Sequence, residues 1–217
     1  MDVADLSPRD TALQASLPVL CVPHDSGLPP LEAGQRRLLL ASDGVYLQAR
    51  SLVMLASVRI AQAQLPYGPH AQAVVLTNGQ IPAALISEAA QAARATPEKE
   101  IAAAVLWEQG AYRLVFPEVI SADAGHVSYR DQLDDAHLVL DLHSHGRGGA
   151  YFSPTDDESD RSRPGPYIAA VFGRCDGQME FVARLACAPH LVPLPVQVLA
   201  PSPNTLVAPK EAGTKAA

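Results

Sequence analysis

The passage Leu138-Val139-Leu140-Asp141-Leu142-His143-Ser144-His145 restricts the fold more than any other part of the chain. It is an apolar run of strand type, over Leu138 to His143, that closes on two histidines one residue apart. Side chains two apart on a strand point the same way, so both imidazoles can face one ion. The Gly-rich stretch Gly146-Arg147-Gly148-Gly149 then lets the chain fold back, and Asp156 can bring a carboxylate as a third ligand. Two imidazoles and one carboxylate leave a fourth tetrahedral position for water, the pattern of catalytic rather than closed structural zinc. Plainer readings exist. A lone histidine at a strand end is usually a surface or hydrogen-bonded residue. Ser153-Pro154-Thr155-Asp156 also reads as a helix start, with Ser as N-cap, Pro in the first position and Asp in the first turn. The expectation is a helix start with the ligand role on top of it.

Around this passage the chain alternates helix and strand signals. Residues 1–75 read as a small β-rich N-terminal region. Arg37 to Leu40 and Val45 to Gln48 flank Ser42-Asp43-Gly44, an Asp-Gly hairpin signal in which both positions tolerate positive φ, and Ser51 to Ala61 offers a further strand. Pro66-Tyr67-Gly68-Pro69 punctuates the chain. Pro82 to Ala95 is Ala-rich with Leu85 and Ile86 on its apolar side, a helix with Pro at its first turn. Strands follow at Ile101 to Trp107, Tyr112 to Phe116, His126 to Tyr129, Tyr167 to Phe172 and Met179 to Leu185. The fold class expected is α/β, a mixed sheet flanked by helices over residues 76–200. The tail 201–217 has the composition of a disordered segment.

Bulk properties exclude several functions. The formal charge of −7 over 217 residues argues against general nucleic-acid binding, which needs a surplus of Lys and Arg. The three cysteines, Cys21, Cys175 and Cys187, form no CxxC pair, so neither a disulfide framework nor a cysteine zinc site is indicated. Cys175 and Cys187 fall in strand-like surroundings and read as buried thiols. The first residues are polar, and no apolar run approaches the ~20 residues of a membrane span. A cytoplasmic protein is expected.

His-x-His, seven residues, Ser, two residues, Asp is the full motif of the JAMM (JAB1/MPN/Mov34) zinc metalloprotease family, and this chain resembles it over about residues 80–200. The resemblance implies a zinc isopeptidase fold, Zn2+ held by His143, His145 and Asp156, and a Ser153 hydroxyl that supports the reaction. It also implies a Glu on an earlier strand as general base. Glu100 matches best, with Ala103 where the family usually has Gly; Glu98 and then Glu118 are the alternatives, and any of them could be only a solvated charge. Gly146 stands where many members have Pro, which would loosen the turn. Asp141 would either orient a ligating imidazole or end the strand. Asp157, Glu158 and Asp160 read as a solvated rim. His24, His70, His126, His137 and His190 lack ligand spacing and read as surface or capping residues.

The whole chain also resembles a narrower group, the protein A components of the PRTRC cassette. This likeness is carried by Ala12 to Leu20, Leu65-Pro66-Tyr67-Gly68 and Leu138 to Gly146. It implies a bacterial setting, a ubiquitin-like protein and partners similar to ubiquitin-activating (E1) and ubiquitin-conjugating (E2) enzymes. Barrel amidohydrolases share Asp-Leu-His-Ser-His but need ~250 residues beginning there. A cupin would need Glu a few residues after His145, and HExxH is absent. A non-catalytic scaffold that binds cassette partners is the competing function.

Overall fold

The computed structural model describes residues 7–117, 119–123, 126–129 and 133–195, the last two short pieces before 133 by backbone alone. Glu118 and the tail from Pro201 lie outside the described residues. The architecture is mixed α/β, as expected. One five-stranded sheet runs β1 (Val19–Cys21), β2 (Arg36–Ala41), β3 (Gly44–Arg50), β4 (Met54–Gln62), β5 (Ala73–Leu76) in chain order. Its strands are antiparallel apart from the parallel β1–β2 pair.

The second sheet has six strands. They are β6 (Ala102–Glu108), β7 (Ala111–Val115), β10 (Leu138–Ser144), β11 (Tyr167–Gly173), β12 (Glu180–Cys187) and β13 (His190–Leu194), in the order β13-β12-β11-β10-β6-β7. A separate hairpin joins β8 (Val119–Asp123) to β9 (His126–Tyr129). In the six-stranded sheet only β10 and β11 are parallel, and parallel neighbours need a crossover. That crossover carries the helix α3 (Pro154–Ser162).

Successive side chains point to opposite faces, and the central strands are buried on both. Leu140 and Leu142 of β10, Ala103 and Val105 of β6, and Ala170 and Phe172 of β11 pack against the helix α2 (Ala83–Ala95). Its buried residues are Ala89 and Ala93, one turn apart, with half-buried Leu85 and Ile86 beside them. Small side chains on that stripe let the helix lie close to the sheet. The five-stranded sheet covers the neighbouring part of the same face. Leu47, Ala49, Met54, Ala56 and Val58 share one core cluster with Val139, Leu185 and Cys187. Ile81, Tyr112 and Ile168 touch both clusters and merge them. The opposite face of the six-stranded sheet, with Tyr167 and Ala169, belongs to α3 and the loops.

Several expectations are corrected. The β-rich N-terminal region opens with a helix, α1 (Pro8–Ser16), capped by Ser7 with Pro at its start and Asp10 in the first turn. It buries no residue, so no apolar stripe announces it; the capping signal alone does. The hairpin at Ser42-Asp43-Gly44 forms, but Ala41 pairs with Gly44, so the two-residue loop is Ser42–Asp43. Asp43 has no positive φ; it accepts hydrogen bonds from Tyr46 Oη and Arg59 Nη1 instead. Positive φ at two successive loop residues occurs at Gln109 and Gly110, between β6 and β7. The strands β1, β5, β8 and β13 fall outside the expected ones; β1, β5 and β13 are short edges with little burial to mark them.

Candidate metal centre

β6 runs antiparallel to β10, with Ala102 opposite His143, so the start of one strand lies beside the end of the other. Two hydrogen bonds close the pair there: Ser144 N donates to the Ile101 carbonyl (3.0 Å), and Ile101 N donates to Ser144 Oγ (3.0 Å). Because Leu140 and Leu142 face α2, Asp141 and His143 face the other way. His145 follows just beyond the strand, its N–H donating to the Phe172 carbonyl of β11 (2.8 Å).

The next turn depends on Gly146. Its φ is +54°, and a Cβ there would sit 2.5 Å from the Pro97 carbonyl oxygen. A side chain is excluded both by backbone strain and by space. The expectation that Gly146 loosens the turn is therefore reversed: this glycine lets the loop press against the segment leading into Glu100. Gly148 N donates to the His145 carbonyl and Cys175 N to the Gly146 carbonyl, both at 2.8 Å. The loop is thus stitched to β11 before it reaches α3.

At α3 the expected helix start is present. Asp156 N donates to Ser153 Oγ (3.2 Å) and Ser153 N donates to Asp156 Oδ2 (2.6 Å), a reciprocal capping box. The other carboxylate oxygen, Oδ1, lies 3.2 Å from His143 Nε2. His143 Nε2 and His145 Nε2 are 3.2 Å apart, and Asp156 Oδ2 is 3.9 Å from His145 Nε2. The three candidate ligand atoms lie within 4.8 Å of one another. His145 Nδ1 sits 3.2 Å from the Gly149 carbonyl, which fixes the proton on Nδ1 and leaves Nε2 as a lone-pair donor. The exposed Tyr151 ring packs edge-on against His145 at 4.5 Å between centroids.

The electrostatics follow from this crowding. Burial alone disfavours protonated His143, but the hydrogen bond and charge of Asp156, with Asp141 and Glu100 behind it, raise its pKa above the ordinary value. Burial would likewise raise Asp156; the bond and charge of His143, with the Ser153 hydrogen bonds, hold its pKa well below the usual carboxylate range. Two imidazole nitrogens and a carboxylate converging at these distances are a donor set that fits a divalent ion of zinc type with an open position.

The remaining site residues fall into place around this cluster. Glu100 is half-buried, two residues ahead of β6, and its charge acts on His143. Glu98 is exposed in the turn where Lys99 N donates to the Thr96 carbonyl. Asp141 does not end its strand, which runs on to Ser144; it is half-buried and its charge also acts on His143. Cys175 and Cys187 are buried, and burial pushes the Cys187 thiol up to about 11. His70 is half-buried rather than a surface or capping residue: its Nε2 lies 2.7 Å from Ser57 Oγ and its ring packs edge-on against Tyr46. His24 and His137 bond to the backbone, at the Pro66 and Trp107 carbonyls.

The solvated-rim reading of Asp160 is overturned. It is 5% exposed and is bonded by Tyr167 Oη and Arg184 Nε at 2.7 Å each. Asp157 accepts from Arg184 Nη1 at 2.5 Å. The missed signal was Arg184 itself, a cation inside the strand Phe181-Val182-Ala183-Arg184-Leu185. A charge in a buried strand needs a partner, and the chain offers acidic residues three apart on α3.

Residues 82–187 match a family model described as prokaryotic homologs of the JAB domain. That supports a JAB-family relationship. Residues 7–77 match a second model, described as a domain of unknown function (DUF2016). No curated protein matches the chain. The JAB-like stretch spans α2, the strands β6 to β12 and every member of the cluster above, while the other match covers α1 and the five-stranded sheet. Among the described residues no helix is long and apolar enough to cross a membrane.

Proposed function

We propose that the chain is a zinc-dependent peptidase or isopeptidase of JAMM type, acting on a ubiquitin-like protein or its conjugates. The observation that carries this reading is the convergence of His143 Nε2, His145 Nε2 and the Asp156 carboxylate inside the JAB-like stretch. The substrate class rests on the likeness to protein A of the PRTRC cassette, which also supplies E1- and E2-like partners. A zinc ion at this site would supply Lewis acidity that brings the pKa of a water toward ~7. The chain's own residues supply the rest. The Gly149 carbonyl keeps His145 in the tautomer that offers Nε2. The capping box holds one Asp156 oxygen and orients the other toward His143. Glu100 takes the proton of the attacking water and passes it to the departing amine. Ser153 accepts from Asp156 N, so its own hydroxyl proton is left to donate to the substrate's carbonyl oxygen as charge develops there.

The test is to incubate the purified protein with a ubiquitin-like conjugate and read product masses beside metal content. Glu100→Gln should retain one zinc per chain and lose turnover about 10²–10⁴-fold, the range for general acid–base groups. Full activity in that variant removes Glu100 from the mechanism. Zinc binding without cleavage of any conjugate would favour the partner-binding scaffold.

A further inference from the structure

We propose that Arg184 is the positioning residue that sets the Asp156 carboxylate against the two histidines; the inference rests on the metal-centre reading and deepens it. The argument begins with what α3 lacks. Its sequence, PTDDESDRS, contains no large apolar side chain, and Asp160 is its only buried residue. A helix normally holds its place by burying an apolar stripe. This one has none, so the hydrophobic effect cannot fix it on the sheet.

Guanidinium groups do that work instead: Arg163 pairs with Asp135 at the C-cap, and Arg184 holds the end of the helix that carries Asp156. Arg184 is 6% exposed and projects from β12. Its Nη1 donates to Asp157 (2.5 Å) and its Nε to Asp160 Oδ2 (2.7 Å). Nη2 lies 2.5 Å from that same Asp160 oxygen, an ionic contact at an angle short of a hydrogen bond. The flat face of the group stacks on the Phe152 ring, 3.7 Å from its centroid. Tyr167 Oη donates to the remaining Asp160 oxygen (2.7 Å). Phe152 immediately precedes Ser153, and Asp157 immediately follows Asp156. Arg184 therefore grips the chain on both sides of the Ser153–Asp156 capping box. The planar fork is what makes this possible, since a lysine ammonium could neither stack on the ring nor span both carboxylates.

The test is metal binding by the full chain, with competition for Zn2+ by a chromophoric chelator and the visible spectrum of the Co2+-loaded protein. Arg184→Met keeps much of the volume and should weaken Zn2+ about 10- to 100-fold, the cost typical of groups that orient ligands. It should also alter the Co2+ bands and speed hydrogen exchange in α3. Arg184→Met leaves two carboxylates without their partner, at a cost in stability, and a second variant guards against its failing to fold. Asp160→Asn, which keeps a group for Tyr167, then carries the same test with a smaller loss. Arg184→Lys should restore solubility and melting temperature more fully than it restores Zn2+ affinity. Wild-type Zn2+ affinity and Co2+ bands in folded Arg184→Met or Asp160→Asn would overturn the proposal. If the wild-type chain itself binds no Zn2+, the metal-centre reading fails separately, and hydrogen exchange of α3 in these variants still decides whether Arg184 holds the helix.

Discussion

The same four-residue signal opens two helices in this chain: Ser7-Pro8-Arg9-Asp10 before α1 and Ser153-Pro154-Thr155-Asp156 before α3. Both work locally in the same way. The serine hydroxyl accepts from the aspartate N–H three residues on, at 3.1 Å in α1 and 3.2 Å in α3, and proline occupies the first turn. The aspartates then diverge. Asp10 spends an oxygen on the Ser7 hydroxyl (2.7 Å) in an exposed helix that buries nothing. Asp156 gives one oxygen to the Ser153 N–H and turns the other toward His143. The lesson is that a capping aspartate becomes a candidate ligand only where the sheet brings donors to the same point.

Removing the two aspartates separates them most sharply. Asp156→Ala should take metal content from one ion per chain to near none, while Asp10→Ala should leave it unchanged; elemental analysis of both proteins reads the result. Equal metal content in the two variants would mean that Asp156 is no more a ligand than Asp10. Gly146→Ala tests the turn that feeds α3. With φ at +54° and the Pro97 carbonyl 2.5 Å from the new Cβ, it should cost clearly more than the ~1 kcal/mol of an ordinary glycine penalty. Gly79→Ala, at φ +82° with nothing within 4 Å, should show backbone strain alone. Denaturant midpoints compare them.

The serines give a smaller contrast. Ser153→Ala should cost about 1 kcal/mol of global stability, because α3 is tied to the sheet. Ser7→Ala should fray α1 and barely move the global midpoint, because α1 buries nothing. Circular dichroism during chemical unfolding distinguishes local fraying from a shifted transition.

The pH response of the metal-free protein is the subtlest test. His143 is raised above 6.5, so its contribution is whole below that value and fades as pH climbs through its folded pKa. Asp156 is depressed below 3.8, so its contribution is whole above that value and fades as pH drops through its folded pKa. The pair therefore stabilises most between pH 3.8 and 6.5. His70, lowered by burial and then by the nearby Arg37 charge, goes the opposite way: its contribution is whole above 6.5 and is lost below it. Imidazole proton NMR should show His143 titrating above 6.5 and His70 below it, and a His143 titrating below 6.5 would contradict the local charge balance.

Much of this was legible in the residues. The apolar run at Leu138, the Ala-rich segment after Pro82 and the Ser-Pro-x-Asp start each encode their element through hydrogen bonds and burial within a few positions. The His-x-His spacing places two imidazoles on one side of a strand before any partner is known. Other features could not be read this way. That the Glu100 charge reaches His143 follows from the antiparallel register of β6 with β10, and register is a sum over a whole strand pair. That Asp160 is buried follows from Arg184, twenty-four residues away on a strand. Cap geometry and strand periodicity are properties of neighbours along the chain, so sequence determines them. Which carboxylate meets a histidine and which meets an arginine depends on how sheet and helix stack, and only the tertiary structure decides it.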